Sequence, residues 1–195
     1  MKKIRKMVKI LEPPIRWKKT VIVLLGILSG ILLLVLHISR ATSYLSDEPE
    51  ACINCHVMYP HYASWSKSSH ENHATCNDCH VPQDNFLRTY FFKASDGLRH
   101  ATYFTMRWEP QVIDIKSAGI NVVQENCIRC HNDMVDMTSL VEMTGNMAMK
   151  SEAKLCWDCH RETPHGTVQS ASAAPHALVK RLPSTLPSWM EGLLE

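Results

Sequence analysis

Apolar positions are concentrated in one place along this chain. Thr20 to Ile38 (TVIVLLGILSGILLLVLHI) is almost wholly aliphatic and has no formal charge. As a helix rising 1.5 Å per residue it spans roughly 28 Å, close to the hydrocarbon thickness of a bilayer. It has no polar stripe of the kind a core helix shows, so the pattern predicts a membrane-crossing helix. Farther on, "NFLRTYFFKASDGLRHATYFTMRW" places Tyr90, Lys93, Gly97, His100 and Phe104 at spacings of three and four, one stripe if the segment is helical. Asp96 joins that face. Residues 110–126 read as a linker and short helix. Residues 167–195 read as a weakly ordered tail whose end, "LPSWMEGLLE", predicts a short amphipathic docking helix.

Charge orients the apolar span. Lys2, Lys3, Arg5, Lys6, Lys9, Arg16, Lys18 and Lys19 precede it, opposed only by Glu12, although the whole chain has a net charge of only +2. Such asymmetry places the N-terminus in the cytoplasm and residues 41–195 across the membrane, in the periplasm. The basic end is read as topology and lipid contact, not nucleic-acid binding. The apolar run is longer than a cleaved signal peptide needs, and "SRATS" is a poor cleavage site, so a retained single-pass anchor is expected. The domain plan is then a basic cytoplasmic segment over 1–19, an anchor over 20–38, a cofactor-packed domain over 41–166 and the tail.

The eight cysteines fall in four pairs, Cys52/Cys55, Cys76/Cys79, Cys127/Cys130 and Cys156/Cys159, each followed at once by a histidine: His56, His80, His131 and His160. Disulfides or four-cysteine zinc sites would use the cysteines but leave the histidines unexplained. Cys-x-x-Cys-His is the attachment motif of c-type haem. Two thiols three residues apart bond the two vinyl groups, and the next residue turns its imidazole to the iron. Four covalent haems c follow. They would replace much of an ordinary core, so the fold class expected is mainly α with much irregular structure and almost no sheet, poorly folded without cofactor.

Four haem irons need eight axial ligands. His80, His131 and His160 supply one each from their own motifs. His70, between the first two motifs, and His165, five residues after the fourth, are the expected partners, since histidine is the usual second ligand of a low-potential electron-transfer haem. One iron is left short, to be completed by His61, His73 or a residue of a partner protein. His73, His176 and His61 otherwise read as surface residues or neighbours of haem edges, and His37 as a residue of the anchor's end. The first motif is unlike the rest: Met58 stands two residues past His56, where the other motifs have Pro82, Asp133 and Glu162. A thioether in place of His56 would raise the potential of the first haem. The methionines after the third motif, Met134, Met137, Met143, Met147 and Met149, read as packing against haem faces in preference to a copper site.

One anchor, four Cys-x-x-Cys-His motifs, Cys-x-x-Cys-His-x-Met at the first, and "CHVMYP…SSHENHATCNDCHVP" together resemble the NapC/NirT family of membrane-bound quinol dehydrogenases over about residues 15–166. Within it they are most similar to the small subunits of cytochrome c nitrite reductase. The resemblance implies electron entry from menaquinol at the first haem, Met58 as its ligand, His70 and His165 as distal ligands of other haems, and a catalytic pentahaem nitrite reductase subunit as partner. It also implies a lysine and an acid near the first haem. Lys93 fits the lysine; where the family has aspartate seven residues on, this chain has His100, with Asp96 one turn earlier. Lys93, Asp96 and His100 are therefore the expected quinol-site residues. His100 or Asp96 either accepts protons or fills the open face of the first iron. A nitrate or N-oxide reductase is the alternative partner, and a haem-based sensor or electron store without quinol chemistry the alternative class.

Overall fold

The computed structural model describes residues 12–135, 145, 147, 154–166, 168 and 170–193. The basic residues Lys2 to Lys9, the methionines Met137, Met143 and Met149, and the last two residues of the expected docking helix lie outside it. The chain divides into two compact units. One holds the described parts of Met1–Thr42 and Ser184–Glu195, the other Ser43–Pro183.

In the first unit, α1 runs Lys18–Ile38 and buries no residue. It is the only helix among the described residues long and apolar enough to cross a membrane. From Ile22 on, its leucines, isoleucines and valines are all exposed, which in water would be untenable and in hydrocarbon is the favourable state. The hydroxyl of Thr185 donates to the carbonyl of Ile38 at 3.2 Å, satisfying one of the acceptors that every helix C-terminus leaves open. The tail's end forms one short helix, Ser188–Glu191.

The second unit is built on its motifs. The first lies on two 3₁₀ turns, Pro49–Asn54 and His56–Met58, leading into α2 (Tyr59–Trp65). The second forms α3 (Cys76–His80), then α4 (Phe86–Met106) follows. The third lies inside α5 (Ser117–Val135), and the fourth forms α6 (Cys156–Cys159). No described residue belongs to a strand, as expected for a chain organised by cofactors. The segment read as a linker and short helix ends in α5, which starts at Ser117, continues into the third motif and kinks at its histidine, His131.

Local chemistry starts and stops these helices. Thr75 caps α3 in a capping box with Asp78. Asp158 accepts the Leu155 N–H at 2.8 Å in the same way. Both aspartates directly precede the second cysteine of their motif, so C-x-D-C-H encodes its own N-terminal cap. Asn85 Oδ1 accepts from the N–H of Leu87 at 2.8 Å and opens α4. Arg107, left-handed at φ 57°, closes it in a position glycine usually fills. α5 is non-helical at His131 (φ −112°, ψ 23°), so the backbone bends where the motif must turn its imidazole away.

The apolar core of the described residues is six side chains, Ala51, Ile53, Ala63, Trp65, Val81 and Val122, with Pro82 fully buried beside them. That is far too little to fold a unit of this size, and polar ties do part of the work. Buried Asn126 donates to the carbonyls of Cys79 (3.0 Å) and Val81 (2.9 Å), pinning the third motif's helix to the second motif. Gln124 accepts the N–H of Cys156 at 3.1 Å and pins the fourth. α4 buries no residue, and one stripe of it, Leu87, Phe91 and Leu98, is about three-quarters exposed at 75, 76 and 72%.

Candidate functional site

All eight cysteines are free of disulfides. The motifs nevertheless meet: the thiols of Cys52 and Cys76 share a hydrogen bond, as do those of Cys127 and Cys156. Burial, then the neighbouring Cys156, pushes the Cys127 thiol up to about 12. The thiol of Cys76 is raised as well, first by its hydrogen bond to Cys52 and then by burial. Burial also raises Cys79, with smaller contributions from Asp78 and from Cys130 of the third motif. These thiols are held close to one another, and among the described residues no group of three or more cysteine, histidine and carboxylate side chains is placed to hold a metal ion.

The attachment cysteines differ in exposure. Cys130 and Cys159 are exposed, whereas the other six are half-buried. Each is the second cysteine of its motif. Cys130 directly precedes the bend of α5 at His131, and Cys159 ends α6, so no straight helical turn follows to shield either thiol. The exposure leaves the sulfurs accessible for a thioether bond, but protein side chains do not enclose them.

The histidines are arranged across motifs. The rings of His70 and His131 have centres 6.1 Å apart at an interplanar angle of 79°. Those of His80 and His165 are also 6.1 Å apart, at 30°. Metal–imidazole nitrogen bonds run about 2 Å, so two imidazoles on opposite sides of one metal have centres roughly 6 Å apart. Each pair joins one motif histidine to one of the two extra-motif histidines singled out in the sequence.

His165 is also oriented for ligation. Its Nδ1 lies 3.0 Å from the His61 carbonyl and 3.2 Å from Ser64 Oγ. A carbonyl only accepts, so Nδ1 carries the proton and Nε2 keeps its lone pair. Burial, then the adjacent His80 and His61, push His165 down to about 4, so it is neutral where a metal ligand must be. A cleft of about 480 Å³ lined by Ser64, Ser68, His70, Glu162, His165 and Gly166 lies alongside.

His61 is half-buried. Its ring meets His165 edge-on at 5.2 Å, and its buried Nε2 has no hydrogen-bond partner among the described residues. His73 and His176 are exposed. His160 is exposed at the end of α6, and no second histidine ring faces it among the described residues. Met58 is half-buried at the start of α2. His56 is exposed and shares a cleft of about 380 Å³ with Phe104, Thr105, Arg107 and Glu109. The donor set therefore fits haem: paired thiols at the attachment spacing, two opposed imidazole pairs, an orphaned buried nitrogen beside one of them, and a core too small to stand alone.

The expected quinol-site residues separate. Asp96 and His100 come together, Oδ2 to Nδ1 at 3.4 Å, with Arg99 3.8 Å from the other carboxylate oxygen. Lys93 turns away from them. Its ammonium lies 2.6 Å from Asp47 and 3.5 Å from the Ser46 carbonyl, with the Tyr90 ring centre at 5.6 Å. Gly97 faces open space. Sequence reasoning missed Asp47 and the Asn77 that donates to it at 2.8 Å: Asn77 is a variable position inside the second Cys-x-x-Cys-His motif, and no motif or periodicity links it to Asp47.

Residues 13–170 match the N-terminal region of the NapC/NirT cytochrome c family. The chain belongs to this family. Within it, the chain is 40% identical over 162 residues to the cytochrome c-type protein NrfH of Wolinella succinogenes, covering 80% of this chain and 90% of that one. It is 33% identical over 120 residues to the cytochrome c nitrite reductase subunit NrfH of Nitratidesulfovibrio vulgaris, covering 62% and 69%. Against the cytochrome c-type protein TorC of Escherichia coli it is 29% identical and spans only 44% of that longer protein. Among solved structures, the cytochrome c nitrite reductase NrfHA complex bound to the HQNO inhibitor contains a chain that superposes with a TM-score of 0.53. The two are 28% identical, over 83% of this chain and 99% of the other. A NapC/NirT cytochrome with one N-terminal apolar helix and a mainly helical body is thus what this chain is.

Proposed function

We propose that this chain is the membrane-anchored, quinol-oxidising subunit of a cytochrome c nitrite reductase, taking electrons from menaquinol and handing them to a catalytic pentahaem reductase subunit. The observation that carries the reading is the pair of 6.1 Å histidine spacings, each joining different motifs, which bis-histidine electron carriers require and a zinc or disulfide scaffold does not. Relatives named as nitrite reductase subunits support the partner. The chain spans 90% of one NrfH but less than half of TorC, so this partner is favoured over an N-oxide or nitrate reductase.

When bound, the four haems c supply reversible one-electron transfer at iron. Each cysteine pair would hold one haem by two thioethers. His131 with His70, and His80 with His165, would each supply the two ligands of one iron. Met58 would be the ligand that sets the first site apart. His160 would serve a fourth iron, its other ligand being His61 or His73 of this chain or a residue of the partner. Lys93 hydrogen-bonds a quinol oxygen. Asp96 and His100 form a proton exit: quinol oxidation releases two protons, and His100, 68% exposed and touching Asp96, opens to water. α1 anchors the chain in the inner membrane with its basic N-terminus cytoplasmic and the motif-bearing unit periplasmic, the basic residues against anionic lipid.

Purification from native membranes tests the whole. The expected result is co-purification with a nitrite-reducing subunit and HQNO-sensitive reduction of the chain by a naphthoquinol. Haem reduction only by small artificial donors, with no co-purifying reductase, would favour the sensor or electron-store reading.

A further inference from the structure

Among the described residues of the motif-bearing unit, the Lys93–Asp47 contact is the shortest ion pair, and it is built rather than incidental. The Lys93 side chain is only 12% exposed, against 38% for Asp96, 68% for His100 and 66% for Asp47, so it is the most buried of the charged groups at this face of α4. Asp47 is held in turn. Asn77, between the two cysteines of the second motif, donates to Asp47 Oδ1 at 2.8 Å and to the Ser46 carbonyl at 3.3 Å. The segment before the first motif, the second motif and α4 therefore converge on one ammonium.

An ammonium has three N–H donors. One goes to Asp47, at 2.6 Å, and a second lies 3.5 Å from the Ser46 carbonyl. The third has no other hydrogen-bond partner among the described residues. The Tyr90 ring lies on one side of it. A lysine free on a helix surface would have to lose its rotamer freedom on meeting a ligand, whereas one clamped in advance has already lost it.

We propose that Asp47 is the positioning residue of the quinol site, clamping Lys93 so that its one uncommitted N–H is presented to a hydroxyl oxygen of the quinol. Asp47 itself does not touch the substrate. This rests on the reading of Lys93 as a quinol ligand. It adds that the acid partner of the lysine comes from ahead of the first motif and not from Asp96 on the same helix.

The test uses the full haem-loaded chain in complex with its reductase subunit, in membranes, with a naphthoquinol as donor. Asp47→Asn should raise KM for the naphthoquinol about tenfold, the loss of one charge-assisted hydrogen bond, with a smaller change in kcat. Asp47→Glu, which keeps the charge, should recover most of that loss. Haem spectra, and the nitrite-reducing rate with an artificial donor that bypasses the quinol site, should match wild type in both. Asp84→Asn, which breaks an exposed ion pair at the start of α4, is the control and should leave KM unchanged. Lys93→Ala separates the levels. A normal KM in Asp47→Asn alongside an impaired Lys93→Ala overturns the positioning role and leaves the quinol site standing. A normal KM in Lys93→Ala overturns both. A loss in Asp47→Asn that Asp47→Glu does not recover at all also overturns the clamp, because charge would then not matter.

Discussion

The imidazoles of His70 and His131 face each other edge to face with ring centres 6.1 Å apart, one from the turn before the second motif, the other from the third motif itself. Their meeting is a long-range contact. The bend of α5 at His131 frees one, and the backbone turn at His70, whose carbonyl accepts from the N–H of His73 (3.0 Å) and Ala74 (2.9 Å), presents the other.

If that pair grips one iron, His70→Ala should convert one haem of four from low-spin six-coordinate to high-spin while the other three keep their spectra. His165→Ala should do the same to a different haem. Electron paramagnetic resonance of the loaded chain reads both, and an unaltered low-spin signal in either variant would remove that residue from the ligand set.

Met58 carries a prediction of its own. Thioether ligation raises haem potential relative to two histidines. Met58→His should therefore lower the potential of one haem and slow reduction by naphthoquinol while leaving covalent attachment intact. A redox titration followed at the haem absorbance decides it; four unchanged midpoints would mean that Met58 only packs.

Asn126 tests the scaffold, not the chemistry. It is 5% exposed and answers two carbonyls on the second motif. Asn126→Ala takes this donor from the Cys79 carbonyl, while Val81 keeps only Gln83 Nε2 at 3.2 Å, a cost of about 1–3 kcal/mol. Thermal unfolding of the loaded chain should show a lower midpoint. Because the contact spans motifs two and three, haem incorporation there should fall in proportion.

The Asp47 clamp also has a pH signature. Hydrogen bonds from Lys93 and then Asn77 hold the Asp47 carboxyl below its ordinary value of 3.8. A depressed carboxylate contributes stability that is fully present above its ordinary value and is lost as pH falls through the folded value. The stability difference between wild type and Asp47→Asn should then be constant through neutrality and vanish only in acid below 3.8. Chemical unfolding at several pH values measures it, and a difference that disappears already near neutrality would contradict the clamp.

What could be read directly from the chain was what depends on neighbours in sequence. Thiols three residues apart with a histidine next are legible because haem attachment is a local covalent geometry. The apolar run to Ile38 is legible because a bilayer requires length and composition and nothing else. The stripe of Lys93, Gly97 and His100 was legible because helical period alone puts those residues on one face, and α4 is indeed a helix there.

Long-range choices were not legible. Period places Lys93 beside Asp96, yet its ammonium goes to Asp47, a carboxylate also held by Asn77, while the Asp96 oxygens face Arg99 and His100. Nothing near His61 in sequence shows that His165 folds back onto its carbonyl. Cys127 and Cys130 belong to one motif and read alike, yet one thiol packs on Cys156 while the other is exposed beside the bend at His131. The attachment motifs and the anchor are properties of composition and spacing, which the amino-acid sequence alone determined. Which histidine faces which, and which acid holds the lysine, are contacts between segments brought together only when the motifs pack on one another, and those the tertiary structure decided.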